Sequence, residues 1–343
     1  MLACFYSTDS FHFNTYKIMN NPLLSNLLDP AILFFFFGLF AALVRSNLEI
    51  PGAISKFFSL YLLMAVGFKG GVAIAQSGFS SDMLLALGLA MLLALVIPAY
   101  SYAILRRKIP AYDAAAIAAA YGSVSAVTFI TATSFLTRQG VEFGGYMAVA
   151  LVVMESPAII MAVLLANLVR QQDKGQHAAP VPFRELMREA FTDGAHLLLL
   201  GGLVIGAITG EAGKKVMDPF TGDLFKGILA FFLLDMGLLV AKRLREFRSA
   251  GRFLTGFGIV VPLFNAALAL TLAKLTGLSS GDAFLLCVLA ASASYIVVPA
   301  VIKYAIPEAN PTLYFSMSLV ITFPFNILLG IPLYFSVVQT WFS

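Results

Sequence analysis

The sequence predicts an all-α polytopic membrane protein: ten transmembrane helices in two inverted five-helix repeats, with broken fourth and ninth helices crossing at the midplane. Three observations carry this prediction. The 343 residues are 60% hydrophobic and only 12% charged, about half the charge of an ordinary soluble domain. Ten apolar runs approach the roughly 20 residues that a bilayer span requires. Two of those runs contain the same Ser-studded interruption, Tyr121-Gly122-Ser123-Val124-Ser125-Ala126 and Ala290-Ala291-Ser292-Ala293-Ser294-Tyr295.

In chain order, residues 1–28 read as an N-terminal extension. They lack the basic start and apolar core of a signal peptide, and Met19 offers a second start. Spans follow at 30–46, 53–76, 82–105, 113–136 and 143–169, giving a first repeat over 29–170. The Phe run 34–37 reads as lipid-facing surface. A cytoplasmic linker, 171–193, contains the amphipathic stretch Pro182 to Phe191, which suits the membrane surface. The second repeat, 194–343, carries spans at 194–211, 223–241, 253–275, 282–304 and 312–340. Pro157 and Pro324 are expected to kink the two longest spans. Cys4 and Cys287 are far apart and form no ligand or disulfide pattern.

Lys and Arg cluster in the odd-numbered loops, as at Arg106-Arg107-Lys108 and Lys242-Arg243, and are sparse in the even ones. The positive-inside rule therefore puts the odd loops in the cytoplasm and both termini outside. The net charge of +4 reflects this asymmetry and gives no reason to expect nucleic acid.

The halves match at nearly constant offset. Gly67 pairs with Gly237, Asp113 with Asp282, Ser123 with Ser292 and Pro157 with Pro324, at separations of 170, 169, 169 and 167 residues. Five spans per half is odd, so the second half enters from the opposite side and the repeat is inverted. The two breaks then meet near the midplane. Unwound backbone is tolerated at that depth only against protein or a water-filled cavity. Half-helix N-termini offer N–H groups and partial positive charge to an anion, and freed carbonyls suit a cation. Candidate substrate contacts are thus Gly122, Ser123, Ser125, Ser292, Ser294 and Tyr295.

Intramembrane charges default to functional hypotheses. Glu155 lies just before Pro157, whose missing N–H frees a carbonyl one turn earlier, so Glu155 is a candidate cation or proton site. Thr128 and Asn326 are further candidate cation contacts. Lys69 and Asp235 fall in corresponding helices and are expected to neutralise one another as a structural ion pair. Asn265 is expected to bridge helices. His177 and His196 have no ligand spacing with another His or Cys, and no nucleophile, His–carboxylate or metal motif points to an enzyme.

Several of these runs resemble the sodium-dependent bicarbonate transporter family, known from cyanobacteria and other bacteria. They are Gly67-Phe68-Lys69-Gly70-Gly71, Tyr121 to Ser125 with Thr128, Met154-Glu155-Ser156-Pro157-Ala158, Ser292 to Ile296, Ile306 to Pro311 and Thr322 to Asn326, within about residues 28–340. The resemblance implies a bacterial inner-membrane secondary transporter that imports bicarbonate with sodium, by a core domain sliding against a scaffold. It also implies a homotrimer and a PII-like regulator as partner. No organic cofactor is expected; sodium is the expected coupling ion. The second break carries no carboxylate, so sodium there would need neutral oxygens. The residues alone leave two rivals: a transporter of another small anion such as an organic acid, proton-coupled through Glu155, and a membrane sensor using the same pocket.

Overall fold

The structure, a computed structural model, describes residues 21–78, 80–172, 194–247, 251–295, 302 and 305–342. Among these it is all helical, with no strand. The helices are α1 (Pro22–Leu27), α2 (Pro30–Leu43), α3 (Gly52–Ser77), α4 (Ser81–Leu105), α5 (Ala111–Gly122), α6 (Ala126–Gln139), α7 (Met147–Gln172), α8 (Gly194–Asp218), α9 (Leu224–Phe247), α10 (Gly251–Thr276) and α11 (Ser280–Ala291). A last helix, α12 (Pro311–Phe342), follows. Six stretches among the described residues are long and apolar enough to cross a membrane. The amphipathic stretch expected at 182–191 lies outside the described residues, as does most of 296–304.

Local chemistry sets the ends and breaks. Asp29 caps α2, its Oδ1 accepting the Ala31 N–H at 2.9 Å, as a short acceptor side chain does for orphan N–H groups. Inside α8 Gly210 adopts φ 52°, ψ −141°, a conformation open to glycine but not to a side chain, and the helix bends there. In α12 the ladder slips to π geometry over Met317–Thr322 and Asn326–Gly330, on either side of Pro324. Proline removes one N–H from that ladder, and such slips are usual where an intrahelical bond is lost.

Within the stretch read as an N-terminal extension, residues 22–27 form α1. α1 packs on the end of α12. The Asn26 side chain is buried there and donates to the Ile327 carbonyl at 2.8 Å, a group that the π stretch leaves available. Of the Phe run, Phe34, Phe36 and Phe37 are exposed, but Phe35 is buried and packs edge-on against Phe323.

The helices gather into two bundles. In the first, α2 pairs with α9 and α3 pairs with α8. Small residues let these backbones touch, as in membrane helix pairs generally. A Cβ on Gly67 would collide with the Leu199 carbonyl, and one on Gly202 would crowd that of Met64; a Cβ on Gly237 would collide with the Phe35 carbonyl, and one on Gly38 with that of Leu234. The two crossings are thus built from the same contacts at matched positions of the two halves. The second bundle holds α4 to α7 and α10 to α12, with α5 and α11 buried on nearly every side.

The ion pair expected between Lys69 and Asp235 does not form. Asp235 instead accepts a hydrogen bond from the Ser55 hydroxyl, and Lys69 Nζ lies 4.8 Å from the centre of the Phe225 ring. Ser55 and Lys69 both lie on α3, about 21 Å apart at roughly 1.5 Å per residue, so one aspartate cannot reach both.

Gly67→Ala is expected to lower stability by about 1–3 kcal/mol, the usual cost of overpacking. Gly227→Ala, where a Cβ meets nothing, should be neutral or gain up to about 1 kcal/mol of helix propensity. Thermal unfolding in detergent compares the two.

Candidate ion-binding site

α5 and α11 are each twelve residues long, about 18 Å at roughly 1.5 Å per residue. That falls short of the ~30 Å hydrocarbon layer, so both end inside the protein. Each is anchored at its start by an aspartate bonded to the other half of the chain. Asp113 accepts the Asn310 N–H at 2.7 Å. Asp282 accepts the Gly144 N–H at 2.7 Å and the Tyr146 hydroxyl at 2.6 Å. The two aspartates that mark the repeat therefore fix the heights of the two breaks.

Both helices end in the same way. Ser123 and Ser292 are extended, at φ −95°, ψ −175° and φ −86°, ψ 170°. Their N–H groups reach Ala119 O at 3.2 Å and Leu289 O at 3.1 Å. The two breaks then satisfy each other: Ser125 N–H donates to Ser292 Oγ at 2.9 Å, and Ser294 N–H donates to Ala120 O at 2.8 Å. Ser125 also caps α6, its Oγ accepting the Thr128 N–H at 3.2 Å. Gly122 has no room for a side chain, because a Cβ would meet the Pro98 ring at 2.6 Å.

Asn326 has a different job from the cation contact expected of it. Its Nδ2 donates to Ala291 O at 2.8 Å, and its Oδ1 accepts from the Tyr334 hydroxyl at 2.9 Å. Asn265 does the same one residue earlier, donating to Ala290 O at 2.9 Å and accepting from Tyr100. Two asparagines thus hold the last carbonyls of α11, which an ended helix leaves orphaned.

Two hydroxyls at the first break have no partner among the described residues. Ser123 Oγ and Thr128 Oγ1 are unbonded, on side chains 1% and 0% exposed. An unsatisfied buried hydroxyl costs about 1–3 kcal/mol, and such groups call for a missing partner such as a water or ion.

A small cavity of about 30 Å³ adjoins this point, room for about two waters. The second bundle contributes Val124, Ser125, Ala126, Leu151, Glu155, Ser294 and Tyr295 to its wall. The first bundle contributes Ser59, Leu63, Ala195, His196 and Leu199. The cavity therefore lies on the seam between the bundles, at the N-terminal end of α6, where the helix dipole is positive.

Sequence reasoning missed His196. Its Nε2 touches Glu155 Oε2 across the seam, and both side chains are nearly fully buried. The pair is neutral overall whichever partner holds the proton, which suits it to burial. No local spacing signals it, because the two residues come together only through packing of α7 on the start of α8.

Of the predicted residues, then, Ser125, Ser294, Tyr295 and Glu155 line one cavity. Gly122, Ser123, Ser292 and Thr128 build the breaks beside it. Asn326 supports α11, and Lys69 and Asp235 lie elsewhere.

These features define a multi-pass helical membrane protein with a small cavity at interrupted helices. The chain belongs to the Na+-dependent bicarbonate transporter superfamily, whose family model matches residues 30–339. No curated protein matches the chain.

Ser292→Ala leaves the Ser125 N–H buried and unpaired, and is expected to cost about 1–3 kcal/mol of stability. Thr128→Val removes a hydroxyl that has no partner, so the ligand-free unfolding midpoint should stay level or rise. Denaturation of both variants in detergent without added bicarbonate checks the contrast.

Proposed function

We propose that the protein is a secondary active transporter that imports bicarbonate together with sodium, with the anion held at the break between α5 and α6. The observation that carries this reading is the pair of orphaned buried hydroxyls, Ser123 and Thr128, beside a seam cavity at a helix N-terminus. The dipole end and nearby N–H groups favour an anion. The hydroxyl oxygens of Ser123 and Thr128 can donate to that anion or accept from a cation's shell. Sodium, held with Thr128 and Glu155, balances the charge so that the loaded site crosses the seam nearly neutral.

Alternating access follows from motion of one bundle against the other around this cavity. The matched Gly crossings and the reciprocal Asp113 and Asp282 anchors support reading the halves as inverted five-helix repeats. Because Glu155 and His196 meet across the seam, their contact must break for the bundles to slide, and a cation at Glu155 competes with His196 for the carboxylate. Assembly as a homotrimer in the bacterial inner membrane, with both termini outside and a PII-like protein acting from the cytoplasm, belongs to the same proposal. The cavity's size favours a four-atom anion over an organic acid.

In proteoliposomes, labelled bicarbonate uptake should follow an inward sodium gradient. Thr128→Val should lower kcat/KM by about 10- to 100-fold, the loss of one hydrogen bond to a charged group. Uptake unchanged when potassium replaces sodium would refute the coupled mechanism. Stabilisation by a carboxylic acid and not by bicarbonate would select the organic-acid transporter instead.

A further inference from the structure

A second and larger cavity, about 480 Å³, lies on the same seam beside the outer length of α6. Its walls run from Phe129 through Thr133 to Arg138 on α6, so it begins one turn beyond Ala126, which lines the first cavity. The opposite wall is built from α3, the end of α8 and the start of α9. Four cations line it, Lys69, Arg138, Lys214 and Lys226, against one carboxylate, Asp218.

Two of these cations are already matched. Arg138 pairs with Asp29 at 2.8 Å, and Lys214 pairs with Glu211 at 3.2 Å. Lys69 and Lys226 form no ion pair among the described residues. Lys69 stands well inside a membrane helix, where a charge is costly; it rests on the Phe225 ring, with the Asp218 carboxylate of the same wall close enough to attract it. Asp218 offsets one of these two lysines, so the wall keeps an excess of one positive charge, held by compact hydrated ammonium groups without the planar fork of arginine. Such a lining attracts by charge and not by shape.

We propose that this vestibule is a low-affinity capture site for small oxyanions, in which Lys69 and Lys226 concentrate the anion before it passes along α6 to the break. A charged cleft with low-dielectric walls raises local counter-ion concentration by about 10- to 1,000-fold. Loose binding by hydrated ammonium groups allows release to the deeper site. In the orientation expected from the loop charges, the vestibule opens outward. The inference rests on the anion-transport reading for its purpose, but its electrostatics are testable without transport.

The test places a thiol in the vestibule wall, as Thr137→Cys in a Cys4→Ser background. Cys287 is fully buried and can remain. Anionic sulfonatoethyl and cationic trimethylammonioethyl methanethiosulfonates are compared, each rate normalised to a free thiol. The anionic reagent should be favoured about tenfold or more at low salt, and much less at 1 M salt, where the screening length is about 3 Å. Lys69→Gln with Lys226→Gln should bring the ratio within about twofold of one, and the Lys→Arg pair should restore it. A ratio near one in the parent, or one that the Gln pair leaves unchanged, overturns the proposal. In proteoliposomes the Gln pair should raise KM for bicarbonate several-fold with kcat nearly constant; an unchanged KM would also overturn it. A wild-type chain that moves no bicarbonate sinks the transport reading, while the thiol rates still decide the vestibule.

Discussion

Backbone groups without partners are costly inside a membrane, and this protein ends two helices there. Everything else in the second bundle is arranged around that constraint. The breaks answer it mainly by pairing with each other: Ser125 N–H with Ser292 Oγ, and Ser294 N–H with Ala120 O. Asn265 and Asn326 take the last carbonyls of α11. Asp113 and Asp282 hold the outer ends of the two helices at fixed height. What this mutual satisfaction leaves over is informative. Among the described residues, Ser123 and Thr128 keep unbonded hydroxyls in a place where a protein rarely leaves them. These two hydroxyls are what the proposed site is built on.

The bundles differ in how they hold together. Gly-mediated backbone contact makes the α2–α9 and α3–α8 crossings tight. Both cavities lie instead on the seam between bundles, one at the N-terminal end of α6 and one along its outer length. Glu155 with His196 is a polar tie across that seam. A buried Glu–His pair and two cavities at the seam, beside Gly-mediated backbone contact within the first bundle, support the proposed motion of one bundle past the other.

Much of this was legible in the sequence, because hydrophobic run length and small-residue breaks are local signals. Helix limits at 52, 81, 251 and 280 fall within two residues of the expected ones, and both breaks fall at the Ser-rich runs. The failures are long-range. Lys69 and Asp235 fall in corresponding helices, but correspondence of helices does not bring two side chains together: Asp235 meets Ser55 near the start of α3, and Lys69 lies near its other end. Asn326 looked like a ligand because polarity in an apolar span is conspicuous; only the structure reveals that both ends of its amide are used within α11 and α12. The partnership of His196 with Glu155 has no spacing to betray it. Helix α1 was hidden because its six residues are too few to register as periodic, although the capping Asn21 and Pro22 were in view.

In the proposed mechanism the orphaned hydroxyls at the first break hold the transported ion. A cryo-EM structure determined in sodium bicarbonate tests it most directly. Non-protein density is expected within hydrogen-bonding distance of Ser123 Oγ and Thr128 Oγ1, at the N-terminal end of α6. Ion density elsewhere, with both hydroxyls still unpartnered, would contradict it.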